Sequence, residues 1–326
     1  MLLNLLEYHW VEAIDDALLL IARPDVKTVP LAGGTHLLGL DDESIQAVVD
    51  LRDLELAYIN EDAAGVHIGA MTTLQSMVDS PMLQNLATGV LVQAAQASSF
   101  SRVMRNSATL GGTLAIGAVS QADVLTVLAV LNAEVLLRSG SRTKVDLSGG
   151  TVERPGFALA GVTYKGKQER RVSSSGLSSE RRPNELIIEV VIARPGAGTG
   201  VSFQRIGRTL TDIALLNACA LVEISDGSYT QVRLALGGVN MEPIRMHEVE
   251  RQLEGQVAMN AGDTTLNTQL LVSALQAGMA NFQPPADFRA SSGYRKISGV
   301  NLAFRALEEA TNISRWRSMV SSKERQ

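Results

Sequence analysis

Apolar residues recur along the chain in two alternating periods. From Ala13 to Ile21 they repeat at helical spacing, and Pro24 stops the run. Thr28–Leu31 and Ala47–Leu51 are short apolar runs of strand length, which with that helix predict a βαβ-like unit of about 50 residues. A second unit opens with strand alternation over Gly65–Ala70. Thr72 and Thr73 stand as caps before a helix starting near Leu74, and Met82, Leu83, Leu86, Val90, Leu91 and Ala94 predict a single helix over Met82–Ala97. Asp123 precedes an apolar helix, Val124–Leu131, and Glu134–Arg138 returns as a strand. Residues 165–182, KGKQERRVSSSGLSSERR, are nearly devoid of apolar side chains and read as a solvated loop, with a lid or partner-docking role as the functional alternative. Beyond it come a strand, Glu185–Ile192, and three strand-like runs, Val201–Ile206, Ile213–Ile224 and Val232–Leu236. Helical stretches near 247–254, 264–279 and 297–311 follow. Strands followed by helices predict an α+β C-terminal domain. The expected domains are 1–192 (subdomains about 1–55 and 56–192) and 200–313, with 314–326 as a polar, basic tail, frayed or partner-bound.

Composition narrows the chemistry. Only 4% of residues are aromatic against 45% hydrophobic, so the core, and the cover of any flat cofactor, must be aliphatic. A net charge of −5 argues against a nucleic-acid partner. The single cysteine, Cys219, forms no internal disulfide and holds no iron–sulfur cluster, so electrons passing through this chain need an organic carrier. His9, His36, His67 and His247 show no metal-ligand spacing. The first 20 residues lack the basic start of a signal peptide, and no apolar run reaches membrane-spanning length; a soluble, cytoplasmic protein is expected.

Two segments share one form: a strand, then Gly-Gly-Thr, then an apolar stretch. They are Gly33-Gly34-Thr35 and Gly111-Gly112-Thr113. Paired glycines let the backbone approach a ligand, and successive N–H groups can form an anion nest. Either one alone reads as a tight turn; two in successive α/β units point to a ligand such as a diphosphate between them. Neither fits the Rossmann or P-loop pattern.

TVPLAGGTHLL (28–38) and NSATLGGTLAIGAVSQAD (106–123) resemble the two FAD-binding loops of the medium, flavoprotein subunit of the molybdenum hydroxylases, the family of xanthine dehydrogenase, aldehyde oxidoreductase and aerobic carbon-monoxide dehydrogenase. The resemblance continues in order through Asp50-Leu51, GVHIGA (65–70), NELI (184–187), RLALGGV (233–239) with Pro243-Ile244-Arg245, and FRASSGYRK (288–296). It implies an α+β protein with a two-subdomain, PCMH-like α/β FAD-binding domain, followed by an α+β domain of the CO-dehydrogenase flavoprotein type. It also implies site residues. Ala32, Gly33, Gly34, Thr35, His36 and Leu37 would wrap the pyrophosphate, and Thr109, Gly111, Gly112 and Thr113 would bind the other side of the cofactor. Asp123 would accept from a ribityl or ribose hydroxyl, besides its reading as a helix cap, and Leu186 and Ile187 would pack near the isoalloxazine, besides their reading as plain core. The sequence departs from the family pattern at His36, where Ser, Asp or Asn is usual. It departs again between Gly112 and Asp123, which is one residue longer and lacks the usual Asn and Pro, and at Gln204, where many members carry a flavin-tuning Lys.

The function this implies is electron transfer. A partner small subunit with two [2Fe–2S] clusters and a molybdopterin-containing large subunit would supply electrons, and NAD⁺, a quinone or oxygen would accept them. Two alternatives stand beside it: a flavin-free assembly subunit, and a stand-alone flavin oxidoreductase of the same fold. Flavin retention separates the first alternative, and activity without partners separates the second.

Overall fold

The structure, a computed structural model, describes residues 2, 4–118, 122–144, 162–209, 211–239, 242–259 and 265–323. The chain begins with β1 (Glu7–Trp10), α1 (Ile14–Ile21), β2 (Thr28–Leu31) and β3 (Ala47–Asp50). The three strands form a parallel sheet, β1-β3-β2, whose register brings Trp10 and Leu31 to either side of Asp50. Asp15 and Asp16 in the first turn of α1 suit the positive end of its dipole. Its Ala17, Leu18 and Leu20 are buried with Val49, Leu51, Leu186 and Ile188. The first unit therefore shares its core with a strand that arrives more than 130 residues later.

Next come β4 (Ile59–Asp62), β5 (Gly65–Gly69), α2 (Leu74–Asp79), α3 (Pro81–Asn85), α4 (Val90–Ser98), α5 (Arg102–Ser107), α6 (Leu110–Ile116) and α7 (Ala122–Val130). After these run β6 (Glu134–Lys144), β7 (Val162–Ser173), α8 (Leu177–Glu180) and β8 (Glu185–Ile192). The strands make an antiparallel sheet, β4-β5-β8-β6-β7.

Three expectations from the sequence need correction. The segment 165–182, read as a solvated loop, supplies most of β7 and all of α8. As the edge strand, β7 needs few apolar residues: Val172 turns inward, while Arg170 is held by Glu185 and Arg171 by Glu134. The single helix expected over 82–97 is two. Ala87, Thr88 and Gly89 take left-handed backbone conformations between α3 and α4, and the Thr88 hydroxyl donates to Val201 O at 2.8 Å. The apolar period survives the break because both halves face one core, which includes Leu83, Leu86, Leu91 and Ala94.

The C-terminal part is a four-stranded antiparallel sheet, β12-β11-β10-β9, formed by β9 (Gly200–Ile206), β10 (Leu216–Ser225), β11 (Ser228–Gly237) and β12 (Ile244–Arg245). It carries α9 (His247–Leu253), α10 (Thr268–Gly278) and α11 (Ser292–Lys323). β10 is apolar almost throughout because both its faces are buried. Ala218, Ala220 and Val222 pack with Leu302, Ala306 and Leu307 of α11. Cys219 and Leu221 turn the other way, into the core built on α4 and α7. Cys219 is a core thiol whose pKa burial pushes well up. The third correction concerns the tail: the helix runs on to Lys323 through much of the segment expected as a tail from Ser314. The Ser314 hydroxyl accepts from Ile224 N and donates to Gly198 O, and Arg317 donates to Thr199 O, so these polar side chains are latches. Among the described residues no helix is long and apolar enough to cross a membrane.

At the β4-β5-β8 edge the histidine ring of His67 bridges Asp62 (2.9 Å) and Glu189 (3.2 Å), and Tyr58 donates to the other oxygen of Glu189. Burial pulls the His67 pKa down, but the two carboxylates outweigh it and the net shift is upward. The stabilisation this histidine contributes is therefore complete below about pH 6.5 and is lost as the pH rises through its raised folded-state pKa. His67→Gln should lower the melting temperature at about pH 5.5 and have little effect at about pH 9, two conditions that bracket the histidine range. An equal loss at both pH values would contradict the charged bridge.

Candidate functional site

The two Gly-Gly-Thr segments meet face to face. A Cβ on Gly33 would lie 1.6 Å from the carbonyl oxygen of Ser107, the last residue of α5, so no larger residue fits there without parting the two segments. Gly34 has φ +69°, which brings the following residues round in a tight turn. Across the gap, a Cβ on Gly112 would reach 4.0 Å from that of Ala32.

The two segments are alike in sequence and unlike in hydrogen bonding. Among the described residues the backbone N–H groups of Gly33, Gly34, Thr35 and His36 meet no protein acceptor. Four successive free donors around a left-handed glycine make an anion-binding concavity. The second segment is the first turn of α6, and its donors are already used. Leu110 N donates to Thr72 O, Gly111 N to Ala70 O, Gly112 N to the Thr109 hydroxyl and Thr113 N to Thr109 O. A Cβ on Gly111 would press on Ala70 at 2.7 Å, so this glycine serves the seat of α6 on the β5–α2 turn. The first segment offers hydrogen bonds; the second offers a bare wall.

Between them lies a cleft of about 400 Å³, counting the space open to solvent at its mouth. Pro30, Ala32 and Leu51 line it from the first unit, Gly111, Gly112 and Ala115 from α6, and Ala70 and Met71 from the turn after β5. Leu186 and Ile187 of β8 close it, both nearly fully buried, together with Arg181 from the turn before that strand. The walls are aliphatic, as the low aromatic content requires.

Of the residues expected to hold a cofactor, Ala32, Gly111, Gly112, Leu186 and Ile187 line this cleft. Gly33, Gly34, Thr35, His36 and Leu37 form the turn at its edge, Thr35 exposed and the others half-buried. Thr109 and Thr113 are buried supports of α6. Asp123 and Gln204 are not among the lining residues. Asp123, buried at the start of α7, accepts from Arg205 Nε at 3.0 Å and from Asn217 Nδ2 at 2.6 Å, and Thr126 donates to the same asparagine. Burial raises its pKa; the charge of Arg205 and the bond from Asn217 oppose that shift. Gln204 points to the other side of β9, where it donates to Ser202 and to Glu309 of α11. Arg181 escaped the sequence reading. It lies in a polar run that looked like solvated loop, and only the packing of β8 shows where it goes.

An extended ligand with a diphosphate in its middle and a flat group at one end fits these residues: free N–H groups at one edge, side-chain-free glycines in the middle, aliphatic walls beyond. Residues 4–149 match the FAD binding domain in molybdopterin dehydrogenase, and residues 201–310 match the CO dehydrogenase flavoprotein C-terminal domain. The chain belongs to the FAD-binding medium subunits of the molybdenum hydroxylase family. Its relatives in that family include the glyceraldehyde dehydrogenase medium chain of Sulfolobus acidocaldarius, 26% identical over 93% of this chain and 97% of that one. Another is the carbon monoxide dehydrogenase medium chain of Afipia carboxidovorans, 26% identical over 93% and 96%. The fold matches a solved carbon monoxide dehydrogenase structure from Hydrogenophaga pseudoflava with a TM-score of 0.78, over 96% of this chain and 99% of that chain, at 23% identity. As a flavoprotein subunit of this family the chain is an oxidoreductase component and its cofactor is FAD.

Proposed function

We propose that this subunit carries electrons between partner subunits and a final acceptor within a multi-subunit molybdenum hydroxylase. The partners in this reading are a small subunit with two [2Fe–2S] clusters and a large subunit with the molybdopterin cofactor. When bound, FAD supplies the redox chemistry, with NAD⁺, a quinone or oxygen as acceptor. The observation that carries the reading is the division of labour in the cleft. The free N–H groups of Gly33 to His36 are suited to hold the diphosphate. Gly112 and Ala32 leave room on either side of it, and Leu186 and Ile187 cover the flat ring and exclude water from it. Asp123 acts from outside, clasping α7 to the C-terminal sheet through Arg205 and Asn217. Cys219, the single cysteine, lies in the core, which leaves cluster chemistry to the partners.

The flavin-free alternative rests on two departures from the family pattern, the stretch 114–122 and Gln204. Gln204 bonds Glu309 on α11 and is not among the residues lining the cleft, while 119–121 of the other lie outside the described residues. The test is transfer between proteins. Under anaerobic conditions the flavin-loaded chain is mixed with its dithionite-reduced, desalted iron–sulfur partner. The flavin band should bleach far faster than with reduced partner withheld, and one of the three acceptors should restore it. No bleaching by the reduced partner would overturn the electron-transfer role.

A further inference from the structure

Among the described residues Arg181 is the one cation lining the cleft, and they give it almost nothing to bind. It caps α8, half-buried, where burial pulls its pKa down and the charge of Glu185 opposes that shift. A guanidinium nonetheless stays charged and keeps five N–H donors. Among the described residues its side chain makes one hydrogen bond, a long one of 3.5 Å to Ala115 O. Glu185, the carboxylate whose charge acts on it, is already taken. It accepts two 2.8 Å bonds from Arg170 and a third from the backbone N–H of Arg182. A partly desolvated cation with free donors beside a ligand cleft calls for an acceptor from the ligand.

FAD offers two kinds of acceptor, the diphosphate and the carbonyl-bearing edge of the isoalloxazine. The free N–H groups of residues 33–36, in the turn that follows the cleft-lining Ala32, are suited to the first. Arg181 instead precedes Leu186 and Ile187 by one short turn and lines the cleft together with them. On the reading that FAD occupies this cleft, we propose that Arg181 donates to the N1–C2=O edge of the flavin and holds negative charge there. It would thereby set the potential of the cofactor in a chain that carries Gln204, turned away from the cleft, where a lysine is usual in the family. A positive charge at that edge favours the reduced, anionic ring over the oxidised, neutral one.

The experiment compares wild type, Arg181→Lys and Arg181→Gln, each loaded with FAD. Three quantities are measured: the FAD dissociation constant, the flavin midpoint potential against a reference dye, and the dissociation constant for sulfite. Sulfite bonds through sulfur to flavin N5, and the electron pair displaced from the ring leaves its negative charge on the N1–C2=O edge, so its affinity reports the charge held there. Arg181→Gln should weaken sulfite binding about tenfold and lower the midpoint potential by the equivalent of about tenfold, roughly 30 mV for a two-electron couple. Arg181→Lys should recover most of both, and the FAD dissociation constant should change less than either. If Arg181→Gln leaves potential and sulfite affinity unchanged, the proposal is overturned. If its only effect is weaker binding of FAD and of ADP alike, the arginine serves the diphosphate and the proposal is equally overturned. Failure of the wild-type chain to hold FAD would instead overturn the cofactor site, which separates the two claims. Melting curves should be the same for all three, because among the described residues the Arg181 side chain makes no hydrogen bond beyond the long one to Ala115.

Discussion

Gly33→Ala should cost the protein its flavin. The added methyl would sit 1.6 Å from the backbone oxygen of Ser107, a position that can yield only if the first loop and α5 move apart. Movement of that loop takes the N–H groups of residues 33–36 out of register with an anion. Losing two charge-assisted hydrogen bonds at about 1.5–3 kcal/mol each weakens FAD by about two orders of magnitude or more. The apo protein should also lose about 1–3 kcal/mol of stability from overpacking. Gly39→Ala, three residues past His36, is the matched control: a Cβ there meets nothing within 4 Å. Fluorescence titration with FAD and denaturant unfolding of the apo chain read the two effects separately. Equal FAD affinities for the two variants would remove the basis for assigning the close approach of the loops to the cofactor.

Asp123→Ala should destabilise the fold more than Gly33→Ala, His67→Gln or either Arg181 variant. The carboxylate is 3% exposed at its side chain and the Arg205 guanidinium it pairs with is 15% exposed. Removing one member of such a pair leaves a largely buried charge without compensation, at a cost of about 3–5 kcal/mol. It also strips a bond from the buried Asn217. The loss should appear in the apo protein, by urea unfolding, with no flavin present. Were Asp123 only a partner for a cofactor hydroxyl, the apo stability would be unchanged and only FAD affinity would fall. Asp123→Asn keeps the shape and removes the charge, so it should fall between wild type and alanine.

Much of this molecule is visible in the pattern of its residues. The two α/β units, the order of the C-terminal strands and helices, and the family itself follow from short apolar runs, paired glycines and a handful of local motifs in fixed order. Local sequence carries that information because strands, caps and tight turns are made from neighbours. What stayed hidden depends on distant parts of the chain. The two Gly-Gly-Thr segments look equivalent, yet among the described residues only one keeps its N–H groups free, because the other is strapped to Ala70 and Thr72. The polar run 165–182 supplies an edge strand because the backbone ladder to β6, with ion pairs from Arg170 and Arg171 and the inward Val172, holds it without an apolar face. Arg181 reaches the cleft through the short turn between α8 and β8, and Gln204 meets Glu309 through the placement of β9 against α11, and no local pattern announces either.

Whether the cleft holds flavin is decided by an absorption spectrum of the purified chain after incubation with FAD and removal of the free cofactor. Retained flavin bands at about 370 and 450 nm, at a ratio approaching one flavin per chain and absent from Gly33→Ala, are the expected result. A chain that holds no flavin, even with its partner subunits present, would contradict the assignment of the cleft between Ala32 and Gly112 as a working FAD site.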